Sequence, residues 1–125
     1  MSDLMTTVVI VDDHPIIRDG LRSALASEAD LQVVGEAQNA VEAMACARSL
    51  KPDIVLLDIS LPGKNGFEVL KFVKEKHPKT KVVMLTGFAD LKNALESKKL
   101  GAEDFVSKPY DLVDLLTTIE RVLNE

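Results

Sequence analysis

Four strand-length apolar runs in this chain each stop at a residue able to handle charge. Ile54-Val55-Leu56-Leu57 ends in Asp58, and Val8-Val9-Ile10-Val11 ends in Asp12 and Asp13. Val82-Val83-Met84-Leu85 ends in Thr86, and Phe105-Val106-Ser107 ends in Lys108. Continuous apolar runs of this length read as strands buried on both faces, as in a parallel sheet. Pro62 and Gly63 mark a loop soon after Asp58, which puts Asp58 at the C-terminal end of its strand. That is the end at which open parallel sheets bind ligands.

The segments between the runs have helical spacing. Pro15 suits a first helical turn, and Ile17, Leu21, Ala24 and Leu25 form one stripe. Leu31 to Ala37 is a second strand, polar enough at Gln32, Gly35 and Glu36 to lie at a sheet edge. Ala40 to Leu50 is rich in helix formers. Gly66, Phe67, Leu70 and Val73 stripe a third helix ending near His77-Pro78. A fourth helix spans Asp90 to Leu100, with the short stripe Leu91, Ala94 and Leu95, and Lys98 and Lys99 beside it. The short stripe predicts loose packing. Gly101 supplies a stop. Leu112, Leu115, Leu116, Ile119 and Leu123 stripe the last helix. Five strand–helix units predict an α/β, (βα)5 doubly wound, flavodoxin-like sheet in the order 2-1-3-4-5. Its switch point lies between the first and third strands and brings Asp12, Asp13 and Asp58 together.

With 125 residues, one domain over 1–125 is expected, long enough for its own core. No apolar run reaches the length of a membrane span, and the N-terminus has no secretory pattern. A single cysteine excludes an internal disulfide and fits a reducing, cytoplasmic setting. The net charge of −5 argues against direct nucleic-acid binding by this domain.

Three acids in one crevice need a cation. Lys108 supplies one positive charge, and a divalent ion would cancel the rest. Mg²⁺ suits carboxylates, waters and phosphate oxygens, with the Ser60 backbone carbonyl as an added ligand. A carboxylate so placed can attack phosphorus and carry an acyl phosphate. Thr86 adds a hydroxyl donor, and Gly87 leaves room for phosphate. Phe88 is bulky and apolar beside the path of attacking water, which predicts slow loss of the acyl phosphate. His14 reads as a turn residue, and Asp13 as either a metal ligand or a cap for the Pro15 helix. Cys46 reads as partly buried rather than reactive.

These motifs together resemble a receiver domain of two-component response regulators. The likeness runs from about Thr7 to Leu123 and rests on Asp12-Asp13, Asp58 in Leu-Leu-Asp-Ile-Ser-Leu-Pro-Gly, Gly66, Thr86-Gly87, Gly101-Ala102 and Lys108-Pro109. It implies that Asp58 accepts phosphate from the phosphohistidine of a histidine kinase or phosphotransfer protein. Asp12 and Asp13 would hold Mg²⁺, and Thr86 and Lys108 would touch the phosphate. Phe105 matches an aromatic that changes orientation with Thr86 and so alters the face made by the fourth helix, fifth strand and fifth helix. That face would act on an output partner, with homodimerisation as a second use. The opening Asp12-Asp13-His14-Pro15-Ile16-Ile17-Arg18-Asp19-Gly20-Leu21 is similar to NarL/FixJ-type regulators, where a DNA-binding domain usually follows; Lys108-Pro109-Tyr110 departs from that subfamily. The expectation is a signalling module rather than an enzyme, with no output domain in this chain and transcription control if it is part of a longer one. The alternatives are a phosphohydrolase with an aspartate nucleophile, which lacks the second acid at Ser60, and a plain interaction module.

Overall fold

A computed structural model of the chain describes residues 5–61, 66–87, 91–107 and 110–125. The elements alternate as β1 (Thr6–Val11), α1 (Pro15–Ala26), β2 (Leu31–Ala37), α2 (Ala40–Leu50), β3 (Ile54–Asp58), α3 (Gly66–Lys76), β4 (Lys81–Thr86), α4 (Leu91–Lys99), β5 (Asp104–Ser107) and α5 (Leu112–Leu123). The sheet has the order β2-β1-β3-β4-β5, and every pairing is parallel. This is the order expected from the alternation, with β2 at an edge. Lys108, Phe88, Pro62, Gly63 and Asp90 lie outside the described residues.

The two faces of the sheet carry separate cores, because side chains alternate along a strand. Val8, Ile10, Ile54, Leu56, Val83 and Leu85 pack with Leu21 and Leu25 of α1 and Leu115, Ile119 and Val122 of α5. Val9, Val11, Val55, Leu57, Val82 and Met84 pack with Ala40, Ala43 and Ala47 of α2 and Val69, Leu70 and Val73 of α3. Full burial of such a side chain contributes about 1.5–3 kcal/mol. The helices end on local signals. Asn39 caps α2 by accepting from the Glu42 N–H at 2.9 Å, and Asp111 caps α5 through the Val113 and Asp114 N–H groups.

The stripe expected on α4 is displaced. Ala94 and Ser97 are buried, whereas Leu95 is 53% exposed. Positions 94 and 97 are three apart and share one face; Leu95 lies a third of a turn away. Apolarity alone suggested Leu95, but sheet contact falls on the smaller residues, which admit a closer approach.

Candidate functional site

The acidic site is made where β1 and β3 stop. Val11 pairs with Leu57 across these adjacent strands, so Asp12 and Asp58 emerge side by side. Both follow the two-residue period of Val8-Ile10 and Ile54-Leu56, on the α1/α5 side of the sheet. Asp12 is fully buried and Asp58 is 2% exposed. Asp13 is half-buried. Ligand-capable atoms of Asp12, Asp13, Asp58 and His14 all lie within 4.8 Å of one another. At that separation two carboxylates repel by about 3–4 kcal/mol with an effective dielectric near 20. Three hard oxygen donors held against this repulsion fit a divalent cation of the Mg²⁺ type.

Backbone bonds hold the loop in place. The Asp12 N–H donates to the Ala37 carbonyl at 3.0 Å, continuing the β1–β2 ladder past its end. Arg18 Nη1 donates to the Asp12 carbonyl at 2.6 Å, while its Nε pairs with Glu36 at 3.3 Å. The His14 N–H donates to Asp12 Oδ1 at 2.9 Å. On the β3 side, the Ser60 N–H donates to Asp58 Oδ1 at 3.0 Å, so one oxygen is tied and the carboxylate plane is set. Ser60 itself is exposed.

Gly66 fixes the other wall. Its N–H donates to the Ile59 carbonyl at 2.6 Å. A Cβ there would sit 2.5 Å from the Asp58 carbonyl oxygen and 2.9 Å from Ile59 Cα. No larger residue could start α3 so close to the backbone of the strand end.

Thr86 and Phe105 lie on the side away from α1 and α5. Thr86 is 2% exposed, and its hydroxyl reaches the Val106 carbonyl at 3.5 Å and Ser107 Oγ at 3.4 Å, long contacts directed towards β5. It is the last residue of β4. Phe105 is half-buried against the α2/α3 core and stands diagonally to Thr86, since Thr86 pairs with Ser107 and Met84 with Phe105. Gly87 is half-buried at the same edge.

Two contributors carried little signal in the sequence. His14 is the N-cap of α1, not merely a turn residue, and the cap at that position is therefore not Asp13. Its Nδ1 lies 2.8 Å from Asp12 Oδ1 and 3.1 Å from Asp13 Oδ1. Adjacency to two aspartates was the available clue. Tyr110 packs against the α1/α5 core, and its hydroxyl is buried with no hydrogen-bond partner among the described residues. Burial pushes its pKa well up, and the charges of Asp12 and Asp58 push it further. Cys46 is half-buried, and burial raises its thiol pKa, so little of the reactive thiolate forms there.

Comparisons with known proteins agree with this geometry. The family model described as the response regulator receiver domain matches residues 8–120. The nitrate/nitrite response regulator protein NarL of Escherichia coli is 33% identical over 115 residues, covering 92% of this chain and 53% of that protein. Protein CcdB of Bacillus subtilis is 36% identical over 119 residues, covering 95% of this chain and 98% of that one. The response regulator domain of Thermotoga maritima CheB superposes with a TM-score of 0.90 at 32% identity, covering 97% of this chain and 98% of that chain. The chain spans about half the length of NarL and of several other curated relatives. On the family match and the shared fold, this chain belongs to the response regulator receiver domains of two-component signalling.

Proposed function

We propose that Asp58 is the phosphoacceptor of this receiver. A carboxylate oxygen of Asp58 attacks the phosphorus of a phosphohistidine; the N–P bond breaks as the O–P bond forms, and the imidazole leaves. Asp12, Asp13, Asp58 and the Ser60 backbone carbonyl would hold Mg²⁺, which when bound neutralises charge on the transferring phosphoryl group. The observation that carries this reading is the set of three carboxylates within 4.8 Å at two adjacent strand ends. The bond from the Ser60 N–H to Oδ1 fixes the orientation of the Asp58 carboxylate at the strand end. Lys108 supplies the remaining positive charge and pairs with a phosphate oxygen.

Thr86 then turns its hydroxyl from β5 to the phosphate, and Phe105 moves into the space vacated. The α4–β5–α5 face changes shape and acts on an output partner or a second copy. Similarity to the transcriptional regulatory protein YhcZ of Bacillus subtilis, 34% identical over 111 residues, supports transcription control as the output. The donor is a histidine kinase or phosphotransfer protein. Membership of the receiver family supports a cytoplasmic setting. A hydrolase reading gains no support from Ser60, which stands where a general acid would be needed.

The test is acetyl-phosphate or beryllofluoride labelling with and without Mg²⁺. Wild type should label only with Mg²⁺, and Asp58→Asn should not label. Equal labelling of Asp58→Asn would overturn the assignment.

A further inference from the structure

Beside the three carboxylates that would hold a cation stands a fourth group able to bind metal, the imidazole of His14. A magnesium site calls for oxygen donors and water, not for an imidazole. Yet a ring nitrogen of His14 falls inside the same 4.8 Å envelope as the three carboxylates. The ring is held there from two sides. Its Nδ1 lies 2.8 Å from Asp12 Oδ1 and 3.1 Å from Asp13 Oδ1, while the backbone N–H of His14 donates to the same Asp12 oxygen and the next residue, Pro15, has a locked backbone angle at the start of α1. The side chain is nevertheless 58% exposed, so it can reorient against a newly bound ion without disturbing the core.

We infer that His14 is a further protein ligand of this site, and that its imidazole shifts the site's preference from Mg²⁺ towards borderline divalent cations such as Mn²⁺, Ni²⁺ or Zn²⁺. The inference rests on the reading of Asp12, Asp13 and Asp58 as cation ligands. Its chemistry is simple. Carboxylate and water suit Mg²⁺ and Mn²⁺, whereas each nitrogen donor favours the later metals. Zn²⁺ in particular accepts a mixed set of histidine nitrogen and carboxylate oxygen. The bland alternative is that the ring only donates a hydrogen bond to Asp12, at 2.8 Å.

His14→Asn separates the two, because the amide keeps a donor but has no imidazole nitrogen. Calorimetric titration of the full chain with Mg²⁺, Mn²⁺ and Zn²⁺, at one pH and ionic strength, should show the preference for Zn²⁺ over Mg²⁺ falling about tenfold or more in His14→Asn. His77 is present in every variant and adds the same background to each titration. In wild type, Zn²⁺ should also shift the ring ¹⁵N resonances of His14. An unchanged Zn²⁺-to-Mg²⁺ ratio, or His14 nitrogens indifferent to Zn²⁺, overturns the ligand role while leaving the acid site intact. Failure of the wild type to bind any of the three ions overturns the acid site itself, and His14 with it. Asp12→Asn separates these cases, since it should weaken all three metals together.

Discussion

The acidic strand ends and the β5 side of this molecule are built from opposite materials. Under the acids, the strands run in unbroken apolar side chains, and Ile10, Leu56 and Leu57 have no exposed surface. Around β5, the cover is thin and polar. Leu95 and Val113 are 53% and 70% exposed. Asp104 is held from one side by Arg121 of α5 and faces Lys98 of α4 at 4.0 Å. Phe105, Ser107, Asp111, Asp114, Thr118 and Arg121 line an open groove there. A rigid base suits residues whose chemistry depends on ångström placement, whereas bistable movement needs elements that cost little to shift.

Mutations should divide along this line. Leu56→Ala removes a fully buried side chain below Asp58 and should cost about 2–5 kcal/mol in chemical denaturation. Leu95→Ala on α4 should stay within about 0.5 kcal/mol. Similar losses for the two would erase the contrast. Gly66→Ala forces a Cβ to within 2.5 Å of the Asp58 carbonyl oxygen, so the wall of the site must move. It should cost about 1–3 kcal/mol, and labelling with acetyl phosphate should slow with it; normal labelling at normal stability would show that the wall is softer than it looks.

Thr86→Ala sharpens the comparison, because it touches both regions. A hydrogen bond to a charged group is worth about 1.5–3 kcal/mol. A full swing from 1:99 to 99:1 needs about 5.5 kcal/mol. The variant should therefore still take phosphate, while its shift of the α4–β5–α5 face, followed by NMR, falls by roughly 10- to 150-fold in population ratio. Lost labelling would contradict the division of roles. Asp104→Asn should also be mild. It breaks half-exposed ion pairs with Arg121 and Lys98 and should cost at most about 1 kcal/mol, less at high salt. A larger loss would mean that β5 is as firmly held as β3.

Much of the pocket could be read before any coordinates. Apolar runs ending in Asp12-Asp13, Asp58 and Thr86 announce both the strands and where they end, because a doubly buried strand tolerates a charge only at its tip. What escaped was cross-chain geometry. His14 and Tyr110 look ordinary as letters; one is a turn residue beside acids, the other an aromatic after a proline. The nearness of His14 to Asp58 and the burial of Tyr110 depend on how α1 and α5 seat against the sheet. Leu95 misled for the same reason, since hydrophobicity does not say which side of a short helix meets β4.

Residue order alone determined the (βα)5 alternation, the strand order and the acids at the switch point, because these follow from side-chain period and from the handedness of parallel crossovers. Only the tertiary structure decided which Asp58 oxygen is tied, that Gly66 has no room for a side chain, and that an imidazole joins three carboxylates. Those outcomes depend on distances of a few ångströms between segments far apart in sequence, set by how the two cores pack rather than by any local preference.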